Sequence, residues 1–91
     1  MVNVYNLNNK EDRSPPEGYE SWRQWWIEKK HRDFYQCSRV NCAGHAAVGA
    51  HVQEQLGSKD RWYIVPLCTS CNNKPDYAIF QVKKFDLEPI N

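Results

Sequence analysis

A chain of 91 residues with 12 Lys+Arg against 11 Asp+Glu is one small domain of formal net charge +1, too near neutral for whole-chain charge to select an acidic partner. Its 41% hydrophobic content includes four Trp, five Tyr and three Phe, which excludes a disordered tail. The polar, Asn-rich start does not read as an export signal and apolar runs such as 64–68 are far too short for a bilayer, so no membrane role and a cytoplasmic location are expected.

Residues 1–16 carry Asn, Lys, Asp and a Pro-Pro pair and read as a flexible arm, with Val2, Val4 and Tyr5 offering a short edge strand. Residues 17–91 form the domain proper. Ser21-Trp22-Arg23-Gln24 fits the S-x-x-Q capping box, in which the Ser oxygen satisfies an orphan amide and Gln24 reaches back. A helix over 22–30 follows, with Trp22 and Trp26 one turn apart, Trp25 beside them, and Lys29-Lys30 at the negative end of the helix dipole. Arg23, Lys29, Lys30, His31 and Arg32 around these tryptophans and Phe34 resemble a nucleic-acid surface in composition. The plainer reading makes the tryptophans core against a hairpin and the charges a solvated face, diluted by Glu20, Glu28 and Asp33.

Cys37-Ser38-Arg39-Val40-Asn41-Cys42 is a first cysteine turn, and the small-residue stretch 43–52 after it reads as extended. Gly57-Ser58-Lys59-Asp60 is a turn, and 62–66 is a strand by its β-branched and aromatic content. A hairpin of 46–53 with 62–66 then carries the chain to a second cysteine turn, Cys68-Thr69-Ser70-Cys71. Asn72 and Asn73 suit left-handed geometry just past it, because Asn tolerates positive φ. Pro75 stops a helix there, 77–82 is a short helical turn or a strand, and Phe85-Asp86-Leu87 alternates like a closing strand.

The C-x4-C and C-x2-C pairs, 25 residues apart, suit a tetrahedral metal site of Cys37, Cys42, Cys68 and Cys71. In a reducing compartment, metal binding is expected over disulfides. Four thiolates complete the shell of Zn²⁺, the commoner structural occupant, although iron takes the same set. Such a closed site is structural, and its binding energy is largely folding energy. His45, in Cys42-Ala43-Gly44-His45, is a spare donor that the four cysteines make unnecessary.

Gly49-Ala50-His51-Val52, followed by Ile64-Val65-Pro66-Leu67-Cys68-x-x-Cys71-Asn72, resembles the zinc-containing HNH endonucleases, a branch of the His-Me finger nucleases. The resemblance spans residues 37–73, under half the chain, and the second knuckle with its preceding strand is the most specific part. It implies a treble-clef or ββα-metal-like fold; with the elements read above, the expected architecture is a small α+β zinc-bound domain, a β-hairpin between two zinc knuckles with the N-terminal Trp-rich helix packed over it. It also implies nucleic-acid binding and metal-dependent phosphodiester cleavage. His51 takes the general-base position and Asn72 the closing ligand position for a catalytic Mg²⁺. Ala50 stands where the family has a metal ligand, and Tyr63 where it has an Asn that orients the base, so two of four functional positions depart from the pattern. Asp76 and His45 are the further donors within reach in sequence. A plainer role for His51 is hydrogen bonding that supports the zinc site or the hairpin. The competing function is a non-catalytic zinc scaffold that binds a protein partner.

Overall fold

A computed structural model describes residues 1–7, 14–75 and 78–90. Its centre is the antiparallel ladder of β2 (Val48–Glu54) and β3 (Tyr63–Leu67), in register at Ala50 with Val65 and His51 with Ile64. Strand β1 (Val2–Asn6) lies antiparallel against the other edge of β2, β4 (Ile79–Val82) against β1, and the two-residue β5 (Glu88–Pro89) against β3. The sheet order is β4-β1-β2-β3-β5. Val2–Asn6 is therefore an inner strand and not the edge strand or free arm that its composition suggests. Both its neighbours are distant in sequence, and such pairing leaves no local trace. Residues 8–13 of the arm lie outside the described residues.

Helix α1 (Trp22–Lys30) begins where Ser21 Oγ accepts the Gln24 amide at 3.1 Å. The Gln24 carboxamide reaches one residue further back than a capping box requires, accepting the Glu20 amide at 2.7 Å. The helix ends at His31, whose left-handed φ of 55° lets its amide close onto the Ile27 carbonyl at 2.9 Å. Trp22, Trp25 and Trp26 are buried with Phe34 and Ile64 on one face of the sheet. Lys30 binds the Leu87 carbonyl and Glu88, and Arg32 binds Asp86, so these cations tie the helix end to the C-terminal segment. The tryptophans are thus core and not a stacking surface for bases.

Strand alternation sorts the second core. Val4, Ala50, Val52, Val65, Leu67, Phe80 and Val82 gather on the opposite face together with Cys37 and Cys71. Two sheet faces, each with its own cluster, explain how a short chain buries four-fifths of a strand such as β3. Pro66 is tolerated because its carbonyl turns to the Ser38 amide at 2.8 Å, away from β2, so its missing N–H lies on that same side. Gly49 leaves room for the helix: a Cβ there would lie 2.9 Å from Trp22 Cβ and 3.0 Å from its carbonyl carbon. Backbone cannot yield as a flexible side-chain tip can. Gly49→Ala is expected to cost about 1–3 kcal/mol, read as a lower urea midpoint at unchanged slope.

The chain after β3 also departs from expectation. Thr69–Asn72 forms a four-residue helix, α2, which places Asn72 in helical geometry and gives Asn73 a φ of −88°. The left-handed non-glycine residues among those described are His31 and Asn41. Asn41 supplies that conformation inside the first cysteine turn, where the sequence points instead to Asn72 and Asn73. Residues 79–82 are strand, and the expected closing strand at 85–87 is mostly a 3-10 turn (Lys84–Asp86). The Trp26 indole N–H holds the Asp86 carbonyl at 2.8 Å, and this anchor outweighs the alternation of Phe85-Asp86-Leu87. No helix among the described residues is long and apolar enough to cross a membrane.

Candidate metal centre and the adjoining cleft

The hairpin brings the two cysteine turns together. Cys37 is fixed by its amide to the Gly44 carbonyl at 3.0 Å, and the segment around it is bonded to β3 through Ser38 and to β4 through Val40 and Gln81. Cys68 caps α2 with an extended backbone, and its Sγ accepts the Cys71 amide at 3.4 Å. In the first turn the Gly44 amide points at Cys42 Sγ, also at 3.4 Å. Each turn thus aims an N–H at a sulfur, which stabilises thiolate charge.

All four cysteines are free, and their sulfurs lie within 4.8 Å of one another. Cys42 Sγ is 3.9 Å from Cys68 Sγ and 3.8 Å from Cys71 Sγ. With Zn–S bonds of about 2.3 Å, a regular tetrahedron has an edge of about 3.8 Å. The two Cys42 edges match that value, and with every sulfur within 4.8 Å of the others the four could hold a metal ion. Gly44 keeps the space clear: a Cβ there would press to 3.3 Å from Cys68 Cβ and Sγ and to 3.4 Å from Cys42 Sγ. His45 is not a member of the cluster; it pairs with Gln36 across an isolated bridge and sets its ring edge-on to Tyr35.

Without a cation the cluster resists ionisation unevenly. Burial pushes the Cys37 thiol up to about 12, against backbone hydrogen bonds from Cys68 and Arg39. Burial also raises Cys71, with the hydrogen bond to Cys68 adding to it. Burial acts on Cys68 in the same sense, but the Cys71 amide and the surrounding thiols outweigh it and hold that sulfur down to about 7. A ready thiolate at Cys68 beside reluctant thiols at Cys37 and Cys71 suits a dication, which supplies the missing positive charge. Arg39 Nη1, 3.9 Å from Cys71 Sγ, adds a further cation beside the sulfurs.

Beyond the second knuckle, His51 and Asn72 line one cavity of about 190 Å³ with Trp22, Val48 and Gly49. His51 is 1% exposed, and its ring stands edge-on to Trp22 with centroids 5.0 Å apart. Ala50 belongs to the opposite face of β2, inside the cysteine-side core. Tyr63, at the position where the resemblance expects an orienting Asn, donates its hydroxyl to Glu54 at 2.8 Å. Burial and that Glu54 contact push its phenol up. Asp76 lies outside the described residues. Asn6, which the sequence does not single out, is fully buried and donates Nδ2 to the Asn72 carbonyl at 2.7 Å and to Asn72 Oδ1 at 3.1 Å. The only hint of it is that the alternation of Val2 and Val4 continues to position 6.

No protein-family model, curated protein or solved structure matches this chain.

Proposed function

We propose that this protein is a zinc-stabilised, HNH-like module of treble-clef type that binds nucleic acid. One observation carries the reading: His51 and Asn72, the two residues that keep their HNH positions, line the same cavity beside the second cysteine knuckle. Zinc is favoured over iron as the commoner occupant of a closed tetrathiolate site, where it would contribute folding energy and no open coordination position.

A catalytic Mg²⁺ fits this cleft poorly. A hard cation takes about six ligands, mostly oxygens. Among the described cavity residues only Asn72 offers a side-chain oxygen, and that atom already accepts from Asn6. Ala50 adds no donor and faces the cysteine-side core. Binding without turnover is the function that these residues support.

The expected outcome in solution is binding of oligonucleotides that weakens as salt rises, with no nicking of supercoiled plasmid in Mg²⁺ or Mn²⁺. Nicking by the wild type that disappears in His51→Ala would establish an endonuclease with His51 as its base. Absence of any binding at about 50 mM salt would sink the nucleic-acid reading. A specific feature then favours the protein scaffold: Met1 and Leu56, both strongly exposed, line one surface cavity with Val2, among the polar side chains of Asn3, Glu54 and Gln81.

A further inference from the structure

The described residues leave five large hydrophobic side chains strongly exposed, and the two aromatic ones, Tyr35 and Phe85, line the same groove. Each is 69% exposed, although neither belongs to a mobile tip: Tyr35 accepts the Ala46 amide through its carbonyl at 3.0 Å, and Phe85 sits within the 3-10 turn. The groove has a volume of about 350 Å³, and Arg32, Asp33, Gln36 and Lys83 also line it.

Both rings are supported from one side. His45 stands edge-on to Tyr35 with centroids 5.6 Å apart. The Arg32 guanidinium lies 5.6 Å from the Phe85 centroid and 5.1 Å from that of Trp26. A ring held in place loses less freedom when a planar ligand stacks on it. The charged side chains lining the groove balance, Arg32 with its partner Asp86 and Lys83 against Asp33, and the exposed Lys84 that follows Lys83 in sequence tips the surroundings toward an anion. Asp86 is buried, with one carboxylate oxygen taken by Ser38 and the other by Arg32, so it presents little charge to a ligand. Lys83 and Lys84 form no ion pair among the described residues, which leaves Asp33 as the groove's exposed acid.

We propose that this groove binds single-stranded nucleic acid, with bases stacked on Tyr35 and Phe85 and the flanking phosphates against Lys83 and Lys84. Paired bases inside a duplex offer no free π-face to two separated side chains, so an unpaired strand is the form that the groove selects. The inference rests on the nucleic-acid reading above and gives it a surface distinct from the His51–Asn72 cleft.

The test is fluorescence anisotropy with a labelled oligothymidylate of about ten nucleotides and with a duplex of the same length. Wild type is expected to prefer the single strand. Tyr35→Ala/Phe85→Ala should weaken that binding about tenfold or more, whereas Leu56→Ala, which trims a side chain 94% exposed elsewhere, should not. Lys83→Gln/Lys84→Gln should flatten the salt dependence by about 1.4 in log–log slope, which keeps the test open if the aromatic double variant fails to fold. Equal or tighter duplex binding, or full single-strand affinity in both double variants, overturns the groove and leaves the nucleic-acid reading standing. No binding of either form overturns both.

Discussion

Stripping the metal is expected to unfold this domain. Purified protein should carry one metal ion per chain, and excess chelator should abolish the near-UV circular dichroism of its tryptophans. Magnitudes decide this. Structural zinc contributes an apparent binding energy of about 10–16 kcal/mol in small domains, whereas a whole domain is stable by only about 5–15 kcal/mol. Cys37 and Cys71 are also packed in the same cluster as Val4, Val52, Val65 and Leu67, so releasing the ion opens the core from within. Cys37→Ser should behave like chelated wild type, because it removes a ligand and buries a hydroxyl among apolar groups. The sign of the pH effect follows from the thiols. Burial raises Cys37 to about 12 and raises Cys71, so protons compete for both sulfurs across the neutral range. Loading therefore expels protons and affinity rises with pH, while acid favours release. A cooperative melt that is unchanged in excess chelator would overturn this account of the centre.

The parts of this design that can be read in sequence are those with short-range causes. A Ser oxygen three residues from its amide, a C-x2-C bend and a β-branched run before it all act within a few residues, and the cysteine cluster combines two such local turns. The hairpin that joins them keeps its pattern because Ala50, Val52, Val65 and Leu67 alternate toward one core. What stays hidden depends on remote partners. Strand β1 is inner only because β2 and β4 arrive from about 50 and 80 residues further along the chain. Asn6 acquires its role for the same reason, 66 residues from the Asn72 that it holds. The closing segment shows the reverse case. Its local alternation favours a strand, and an indole hydrogen bond from α1 turns it into a 3-10 turn instead.

That same bond makes Trp26→Ala the most disruptive single change away from the cysteines. Trp26 is 2% exposed, its ring edge meets Phe34 at a centroid distance of 5.6 Å, and Arg32 covers one face. Truncation should cost about 3–5 kcal/mol from lost burial and the cavity left behind. Trp26→Phe keeps most of the area but strands the Asp86 carbonyl, and should cost less, about 1–3 kcal/mol. Denaturant midpoints of the two variants separate packing from the hydrogen bond. The consequence reaches the metal because Asp86 also accepts the Ser38 hydroxyl at 2.8 Å, and Ser38 directly follows Cys37. Loosening the turn at Asp86 removes a fixed point of the first knuckle. Trp26→Ala should therefore hand its metal to a colorimetric chelator faster than wild type does under fully native conditions. Transfer at the wild-type rate, despite the lost stability, would mean that the turn steadies the helix alone and that the first knuckle is held by its backbone bonds to β3 and β4.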